Sequence, residues 1–297
     1  MIINNATLNA LRVSFQSDFK TGLGMAALMK DRIATTVPSS TGSNTYGWMG
    51  KIPQMRQWLG ARVIQNISES SYSLPNLPFE LTIGVDRYDI EDDNLGIYAP
   101  LFQTMGRETA ANEEQLIWSA VKNGFTTKCF DNQNYFDTVH PVIDANGNVT
   151  TYANTDGGAG TPWFLMSTKQ AIKPFLFQSR KPPEFVSKDK ITDDNVFNER
   201  VFQYGIDARY NVGYSFPQFA WGSKQTLNSA NYTLARAAIM GFKADYGRPL
   251  GIMPDLLVVP PALEQAARQL IMNAQQASGA TNEWAGTAEL LIVPWLA

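Results

Sequence analysis

The chain has 297 residues, of which 44% are hydrophobic and 11% aromatic, and this composition excludes disorder as its main state. A net charge of −3 without any block of lysines and arginines argues against a phosphate-binding face for DNA. A single cysteine, Cys129, and a single histidine, His140, exclude an internal disulfide and zinc sites built from several such ligands. Only 17% of the residues are charged, which indicates that a large interface covers part of the surface.

Two further expectations concern targeting. No apolar run approaches the roughly 20 residues of a membrane span, so we expect no membrane partner. The first 15 residues lack a basic stretch followed by an apolar one, so they do not resemble a secretory signal. We therefore expect the protein to be made and used in a reducing cytoplasm.

The chain begins with apolar residues at helical spacing over residues 7–32, interrupted by Gly22 and Gly24. A long excursion follows over residues 36–83. Its return arm, residues 79–86, alternates apolar and other residues and is predicted as a strand with one covered face. A weaker strand is predicted over 62–67. A two-stranded flap is marginally stable alone, so we expect it to lie on another surface, with a neighbouring subunit as the candidate.

The excursion carries interleaved aromatic and basic residues, namely Trp48, Arg56, Trp58, Arg62 and Tyr72. Such a set can bind single-stranded nucleic acid by stacking. The same residue types are enriched in the hot spots of protein–protein interfaces. The acidic balance of the chain favours the second interpretation, in which Trp48 and Trp58 anchor the flap.

An acidic run precedes the longest predicted helix, residues 97–123, which should end at Gly124. Asp89, Asp92 and Asp93 suit the positive end of that helix as capping residues. The spacing of these acids does not match a calcium loop. Pairing with arginines across a subunit interface is the alternative role.

The rest of the chain, from residue 125 onward, is predicted to contain a loop, several strands and two helices. We predict a loop over 125–160 and strands between 162 and 221, including 163–166, 175–178 and 204–210. A helix over 232–245, a buried strand over 255–259, a helix over 261–273 and a short strand over 290–293 complete the prediction.

Two sequence patterns are similar to those of known sites, one catalytic and one nucleotide-binding. Cys129 and His140 lie close in sequence to Asp131 and Asp137, the residue types of a cysteine hydrolase. Catalytic cysteine and histidine usually come from distant segments, so a packed cysteine with a hydrogen-bonded or exposed histidine is the favoured alternative. Residues 22–27 match G-x-G-x-x-A, but a helical stretch rather than a strand precedes them, which argues against a dinucleotide site. We expect no cofactor and no metal ion.

Several long strings resemble those of the Mu-like phage major head subunit family. They cover residues 39–50, 90–100, 129–137, 172–178, 204–211, 247–252 and 291–297, in order over nearly the whole chain. The resemblance implies an α+β fold of the Hong Kong 97-like capsid type, with an N-terminal arm, an extended β-hairpin called the E-loop, a peripheral domain with a long spine helix, and an axial domain.

The predicted elements map onto that architecture. The arm would be residues 1–35, the E-loop 36–85, and the peripheral domain 86–160 with its spine helix at 97–123. A strand-rich block, 161–228, and a helix–strand block, 229–297, remain. The second block is the expected axial domain, although the order of these blocks leaves that assignment open.

The resemblance implies assembly rather than catalysis. Subunits would form hexamers and pentamers that close into an icosahedral head around double-stranded DNA, without sequence-specific binding. Scaffold and portal proteins, with decoration proteins as a further option, would be partners. The subunit would be assembled in the host bacterial cytoplasm and end in the virion. An encapsulin-type or phage-like shell of the same fold is one alternative, and a hydrolase using Cys129 and His140 is another.

Overall fold

The structure, a computed structural model, describes residues 3–47, 72–92, 94–276 and 279–297. The helices of these residues are α1 (Asn5–Met25), α2 (Lys30–Ile33), α3 (Arg87–Glu91), α4 (Tyr98–Asn123), α5 (Asp194–Glu199), α6 (Ser229–Gly241) and α7 (Glu264–Ile271). Short 3₁₀ turns precede α4 and α7.

The strands follow the same chain order. They are β1 (Ala34–Pro38), β2 (Ser43–Thr45), β3 (Ser73–Pro75), β4 (Leu77–Asp86), β5 (His140–Ile143), β6 (Val149–Tyr152), β7 (Thr155–Gly158), β8 (Trp163–Met166), β9 (Phe175–Lys188), β10 (Val201–Tyr214), β11 (Ala220–Lys224), β12 (Lys243–Ala244), β13 (Arg248–Pro249), β14 (Leu256–Val259) and β15 (Glu289–Ile292).

A four-stranded sheet in the order β1-β9-β10-β4 forms one half of the molecule. Strands β9 and β10 are antiparallel partners of 14 residues each. The predicted return arm is observed as β4, but it is not part of a free flap. It pairs antiparallel with β10 along ten residues, from Leu77 opposite Tyr210 to Asp86 opposite Val201. The prediction that the free flap extends to residue 85 is therefore wrong. Local sequence pattern could not show this, because β10, the partner of β4, lies more than 100 residues further along the chain.

Two long helices cover one face of this sheet. The α1 helix has 21 residues and α4 has 26. Alternate residues of β10 are buried beneath them, including Phe202, Tyr204 and Ile206. Phe15 of α1 stacks on Phe102 of α4 with ring centroids 4.3 Å apart. These aromatic contacts hold the two helices against each other and against one face of the sheet.

The close approach of α1 and α4 depends on two glycines. A Cβ atom on Gly22 would lie 1.9 Å from the carbonyl oxygen of Gln103, and one on Gly106 would lie 2.1 Å from that of Phe19. Helix α1 runs through Gly22 and Gly24 without the predicted interruption. The G-x-G-x-x-A match therefore belongs to a helix–helix contact and not to a nucleotide loop.

A five-stranded sheet in the order β15-β14-β8-β11-β7 forms the other half. Its central strands are buried on both faces. Trp163 and Leu165 of β8 pack with α6 and α7, and Phe164 and Met166 pack on the opposite side. Strands β8 and β11 come from the block 161–228, and β14 and β15 from 229–297. The expected boundary at residue 228 therefore runs through one sheet.

The second half of α4 joins the two sheets. Ile117, Trp118 and Val121 are fully buried in a cluster that also contains Phe177 of the first sheet and Val258 of the second. The long helix is therefore a shared core element.

Residues 125–160 are not a continuous loop as predicted. They contain strand β7 and the hairpin β5–β6. Asp144 stabilises the hairpin turn because its carboxylate accepts hydrogen bonds from the amides of Asn146 and Asn148, both 2.8 Å. In the parts of the chain that the structure describes, no helix is long and apolar enough to cross a membrane.

Candidate functional sites: the base of the E-loop and a buried polar cluster

The predicted E-loop anchors, Trp48, Arg56, Trp58 and Arg62, lie outside the described residues, within 48–71. The two ends of that segment are described. They meet in the pair β2–β3, where Thr45 lies opposite Ser73, and the amide of Tyr46 donates to the carbonyl of Tyr72 at 2.8 Å. The two residues that flank the segment, Gly47 and Tyr72, are therefore held close together by the β2–β3 pair.

Gln178 of β9 fixes the β2–β3 pair, which is the base of the E-loop. Its side chain is fully buried and accepts a hydrogen bond from the Tyr46 hydroxyl at 2.7 Å. Its amide nitrogen donates to the carbonyl of Leu74 and to the side chain of Asn76, at 2.9 and 2.8 Å. Both strands at the root of the segment are therefore fixed to β9 by one glutamine, a residue that the sequence did not single out.

The acidic run does not cap α4 through its backbone. The N-cap of α4 is Ile97, which makes no capping side-chain bond. Asp89 instead accepts a hydrogen bond from the hydroxyl of Tyr98, the first residue of α4, at 2.5 Å. Asp92 ends the short helix α3, and Asp93 lies outside the described residues. The prediction of a capping role for Asp89 and Asp92 fails because a 3₁₀ turn over Leu95–Ile97 separates α3 from α4.

Cys129, Asp131 and His140 meet in a buried cluster. Asp131 lies between the other two, because one carboxylate oxygen is 3.0 Å from the thiol of Cys129 and the other is 2.6 Å from Nδ1 of His140. Asp137 is not part of this arrangement, since its carboxylate accepts from the amides of Asn134 and Thr138 in its own loop. Proximity in sequence indicated that a cysteine, an aspartate and a histidine could meet, and they do. The Asp131 carboxylate, however, lies between the sulfur of Cys129 and the imidazole of His140.

This order of groups opposes nucleophilic catalysis. Burial raises the pKa of the Cys129 thiol, and the negative charge of Asp131 raises it further. The thiol therefore stays protonated, whereas a nucleophilic cysteine needs its thiolate form. The hydrogen bond from the thiol to Asp131 also replaces the contact with a histidine base that such a mechanism requires.

Asn154 contacts the ring of His140 on the side away from Asp131. The Asn154 side-chain nitrogen donates to the carbonyls of Tyr135, Pro217 and Ala220, which fixes the orientation of the amide. Its oxygen faces Nε2 of His140 at 3.2 Å, so Nε2 carries a hydrogen. Nδ1 on the other side of the ring faces the Asp131 carboxylate at 2.6 Å, so the imidazole lies between two polar side chains.

The same three residues could in principle hold a metal, since their ligand atoms lie within 4.8 Å of one another. Their hydrogen bonds describe the site better. Both oxygens of Asp131 accept from protonated groups at hydrogen-bond distances, and Asp131 also accepts from the amide of Gln133 at 3.0 Å. The cluster is a satisfied polar network that joins the loop around Asp131 to the β5–β6 hairpin.

This network predicts a stability change in acid. Burial alone would raise the pKa of Asp131, but hydrogen bonds from His140 and Cys129 and the charge of His140 outweigh it and lower that pKa. A depressed carboxyl pKa adds stability that is present above its unfolded value, about 3.9, and disappears as pH falls through the folded value.

The test compares the free energy of unfolding in urea of the wild type and of Asp131→Asn between pH 7 and pH 3. We expect the wild type to be more stable at pH 7 and the difference to shrink below about pH 4. A difference that stays constant over this range would contradict an ionised Asp131 in the network.

The comparisons with known structures define the class of protein. The chain superposes on the subunit of the procapsid of bacteriophage JBD30 with a TM-score of 0.88 and 41% sequence identity, over 99% of this chain and all of that one. The JBD30 capsid subunit gives a TM-score of 0.78 at 34% identity, with both chains fully covered. The fold, with its long helix and clamped E-loop base, is that of a Hong Kong 97-like phage capsid protein.

The family is equally clear. Residues 8–296 match the family described as Mu-like prophage major head subunit gpT, and the chain belongs to it. It is 41% identical to the major capsid protein of Escherichia phage Mu over the whole of both chains. It is 37% identical to the Mu-like prophage FluMu major head subunit of Haemophilus influenzae, over 93% of each. The chain is thus a structural subunit of phage heads and not an enzyme, and neither the hydrolase nor the encapsulin-type alternative is favoured.

Proposed function

We propose that copies of this chain form hexamers and pentamers that close into an icosahedral head around double-stranded DNA. The full-length identity of 41% with the phage Mu major capsid protein carries the proposal. Assembly would take place in the cytoplasm of the host bacterium, and the product would be the shell of the virion. A net charge of −3 without a basic block suits a wall that encloses DNA without gripping a particular sequence.

Scaffold and portal proteins are the proposed assembly partners, and decoration proteins are further candidates. Support for decoration comes from the JBD30 capsid decorated with minor capsid protein trimers, whose subunit matches this chain with a TM-score of 0.78 at 34% identity. The same arrangement is proposed for this chain by analogy with that relative.

Sheet membership supports a division of the subunit into two domains. The four-stranded sheet with α1 and α4 would be the peripheral domain, with α4 as its spine helix and residues 1–35 as the N-terminal arm. The five-stranded sheet with α6 and α7 would be the axial domain. This proposal moves β8 and β11 into the axial domain because they pair with β14 and with β7.

The E-loop is the proposed contact between neighbouring subunits. Trp48 and Trp58 would be its apolar anchors, and Arg56 and Arg62 would pair with carboxylates of the next copy. The clamped root at β2–β3 supports this role, since a segment fixed at one point can project from the subunit. Among the acidic residues before α4, Asp92 is exposed, and with Asp89 and Asp93 it is proposed to pair across a second contact.

Trp58→Ala tests the anchor role. Buried aromatic anchors contribute roughly 2 kcal/mol or more each, and every copy in a shell repeats the loss. We expect the variant to form far fewer shells in sedimentation and electron microscopy, while the subunit keeps the far-UV circular dichroism spectrum and melting temperature of the wild type.

Gln57→Ala is the matched control, since it truncates a neighbouring polar residue in the same segment. Its shell yield should equal that of the wild type. A Trp58→Ala chain that assembles as well as this control would contradict the anchor role, and Trp48→Ala offers an independent repeat of the test.

A further inference from the structure

The side chains of Cys129, Asp131 and His140 bring three kinds of metal ligand to one place. Their ligand atoms, a sulfur, a carboxylate oxygen and an imidazole nitrogen, lie within 4.8 Å of one another. The sulfur is 3.0 Å from one oxygen of Asp131, and Nδ1 of His140 is 2.6 Å from the other. The proposed assembly of a shell makes no use of these groups, so their convergence is a separate feature of the subunit.

The imidazole of His140 is held in the orientation that a metal ligand needs. Its Nε2 donates to the side-chain oxygen of Asn154 at 3.2 Å, as the second nitrogen of a metal-bound histidine commonly does. Nδ1 then presents a lone pair to the Asp131 carboxylate, whose oxygens also carry lone pairs. A contact of 2.6 Å between two such atoms requires a cation between them, either a proton or a metal ion.

The charges of the side chains favour a divalent cation at this position. A thiolate on Cys129 beside the ionised Asp131 would bury two negative charges, which is costly unless a cation lies between them. A metal ion supplies that charge, and its binding releases to solvent the thiol proton and the proton held between Asp131 and His140. In the absence of metal, these protons take its place and the side chains form the hydrogen-bonded network described above.

The distances between the ligand atoms suit zinc. Zinc binds sulfur at about 2.3 Å and nitrogen or oxygen at about 2.0–2.2 Å in tetrahedral geometry, so its ligand atoms lie about 3.3–3.6 Å apart. The sulfur–oxygen contact of 3.0 Å and the nitrogen–oxygen contact of 2.6 Å need to widen by less than about 1 Å to reach that spacing. The Asp131 side chain is 9% exposed, which gives a water molecule access to the fourth position.

We propose that Cys129, Asp131 and His140 bind one zinc ion per chain, with Asn154 orienting His140. One cysteine, one histidine and one aspartate form a site of a different kind from the zinc sites of several cysteines and histidines that the composition excludes. The ion would join the loop after α4 to the first residue of β5 and so stabilise the folded subunit. This role does not depend on the proposed function in a shell.

Metal titration of the full chain tests the site, and the protein must be free of a histidine tag because His140 is its only histidine. We expect elemental analysis after gel filtration to find one zinc per chain. The melting temperature should rise by roughly 5 °C when free zinc exceeds its dissociation constant about a hundredfold. Cadmium in place of zinc should give the ultraviolet absorption band of a thiolate–cadmium bond, whereas magnesium, which prefers oxygen ligands, should have no effect.

Two variants make the titration specific. Cys129→Ser should lose both the cadmium band and the retained zinc while it keeps the circular dichroism spectrum of the wild type. Asp137→Asn is the matched control, because Asp137 lies in the same loop but outside the cluster, and it should bind zinc as the wild type does. A wild-type chain that shows no cadmium band or retains no zinc, or a Cys129→Ser chain that retains one zinc, would overturn the proposal. A chain that binds zinc but forms no shells would count against the proposed function alone.

Discussion

Gly106→Ala should release α1 from α4 and lower the free energy of unfolding by about 3 kcal/mol. A Cβ at this position would lie 2.1 Å from the carbonyl oxygen of Phe19 and 2.7 Å from the amide nitrogen of Leu23. Both atoms belong to the backbone of α1, so no side-chain rotation can relieve the overlap. The helices must separate, and the stacking of Phe15 on Phe102 is lost with them. Urea unfolding followed by circular dichroism measures the change.

Gly24→Ala is the matched control for this prediction. Gly24 lies in the same helix as Gly22, but a Cβ there would have no atom within 4 Å. Alanine is the better helix former, so this variant should be as stable as the wild type or more stable by about 0.5–1 kcal/mol. Equal free energies of unfolding for the Gly106→Ala and Gly24→Ala variants would show that the close contact between α1 and α4 does not contribute to stability.

Asn154→Ala should have an effect of similar or greater size, about 3–5 kcal/mol. The residue is fully buried and its side chain serves five groups. They are the carbonyls of Tyr135, Pro217 and Ala220, the amide of Asp137 and Nε2 of His140. Removing the amide takes a hydrogen-bond partner from each of these groups, although the Pro217 carbonyl keeps the backbone amide of Ala220. A buried polar group left without a partner costs about 1–3 kcal/mol.

Two companion variants make the measurement specific. Asn148→Ala removes an exposed asparagine whose side chain makes one bond of 3.3 Å, to Asp144, and should change stability by about 0.5 kcal/mol at most. Asn154→Asp keeps the acceptor that faces His140 but places a second oxygen against three carbonyls, so it should be nearly as harmful as alanine. A loss for Asn154→Ala within 1 kcal/mol of the Asn148→Ala value would contradict the account.

Local pattern predicted the elements whose periodicity is strong. The long helix expected over 97–123 is α4, and the alternating arm at 79–86 is part of β4. Neither pattern identified the partners. Strand β4 pairs with β10, and β1 pairs with β9. The partners are far apart in sequence, so the periodicity of a single segment cannot predict the pairing. For the same reason the blocks 161–228 and 229–297 seemed separate although they share a sheet.

The candidate sites were predictable in part. Proximity in sequence brought Cys129, Asp131 and His140 together, but their roles depend on which group lies between the others, and only packing decides that. Gly22 was visible as part of a motif, and its true role required the facing Gly106. Neither Asn154 nor Gln178 was predicted as a site residue, because the role of a single buried amide has no pattern of spacing.

A single-particle reconstruction of shells formed by this chain tests the central claim most directly. We expect rings of six and five subunits, each with α4 and the four-stranded sheet as described, and with residues 48–71 of one copy lying on a neighbouring copy. Particles in which every copy keeps residues 48–71 on its own surface, or a chain that remains a compact monomer with and without its scaffold, would contradict it.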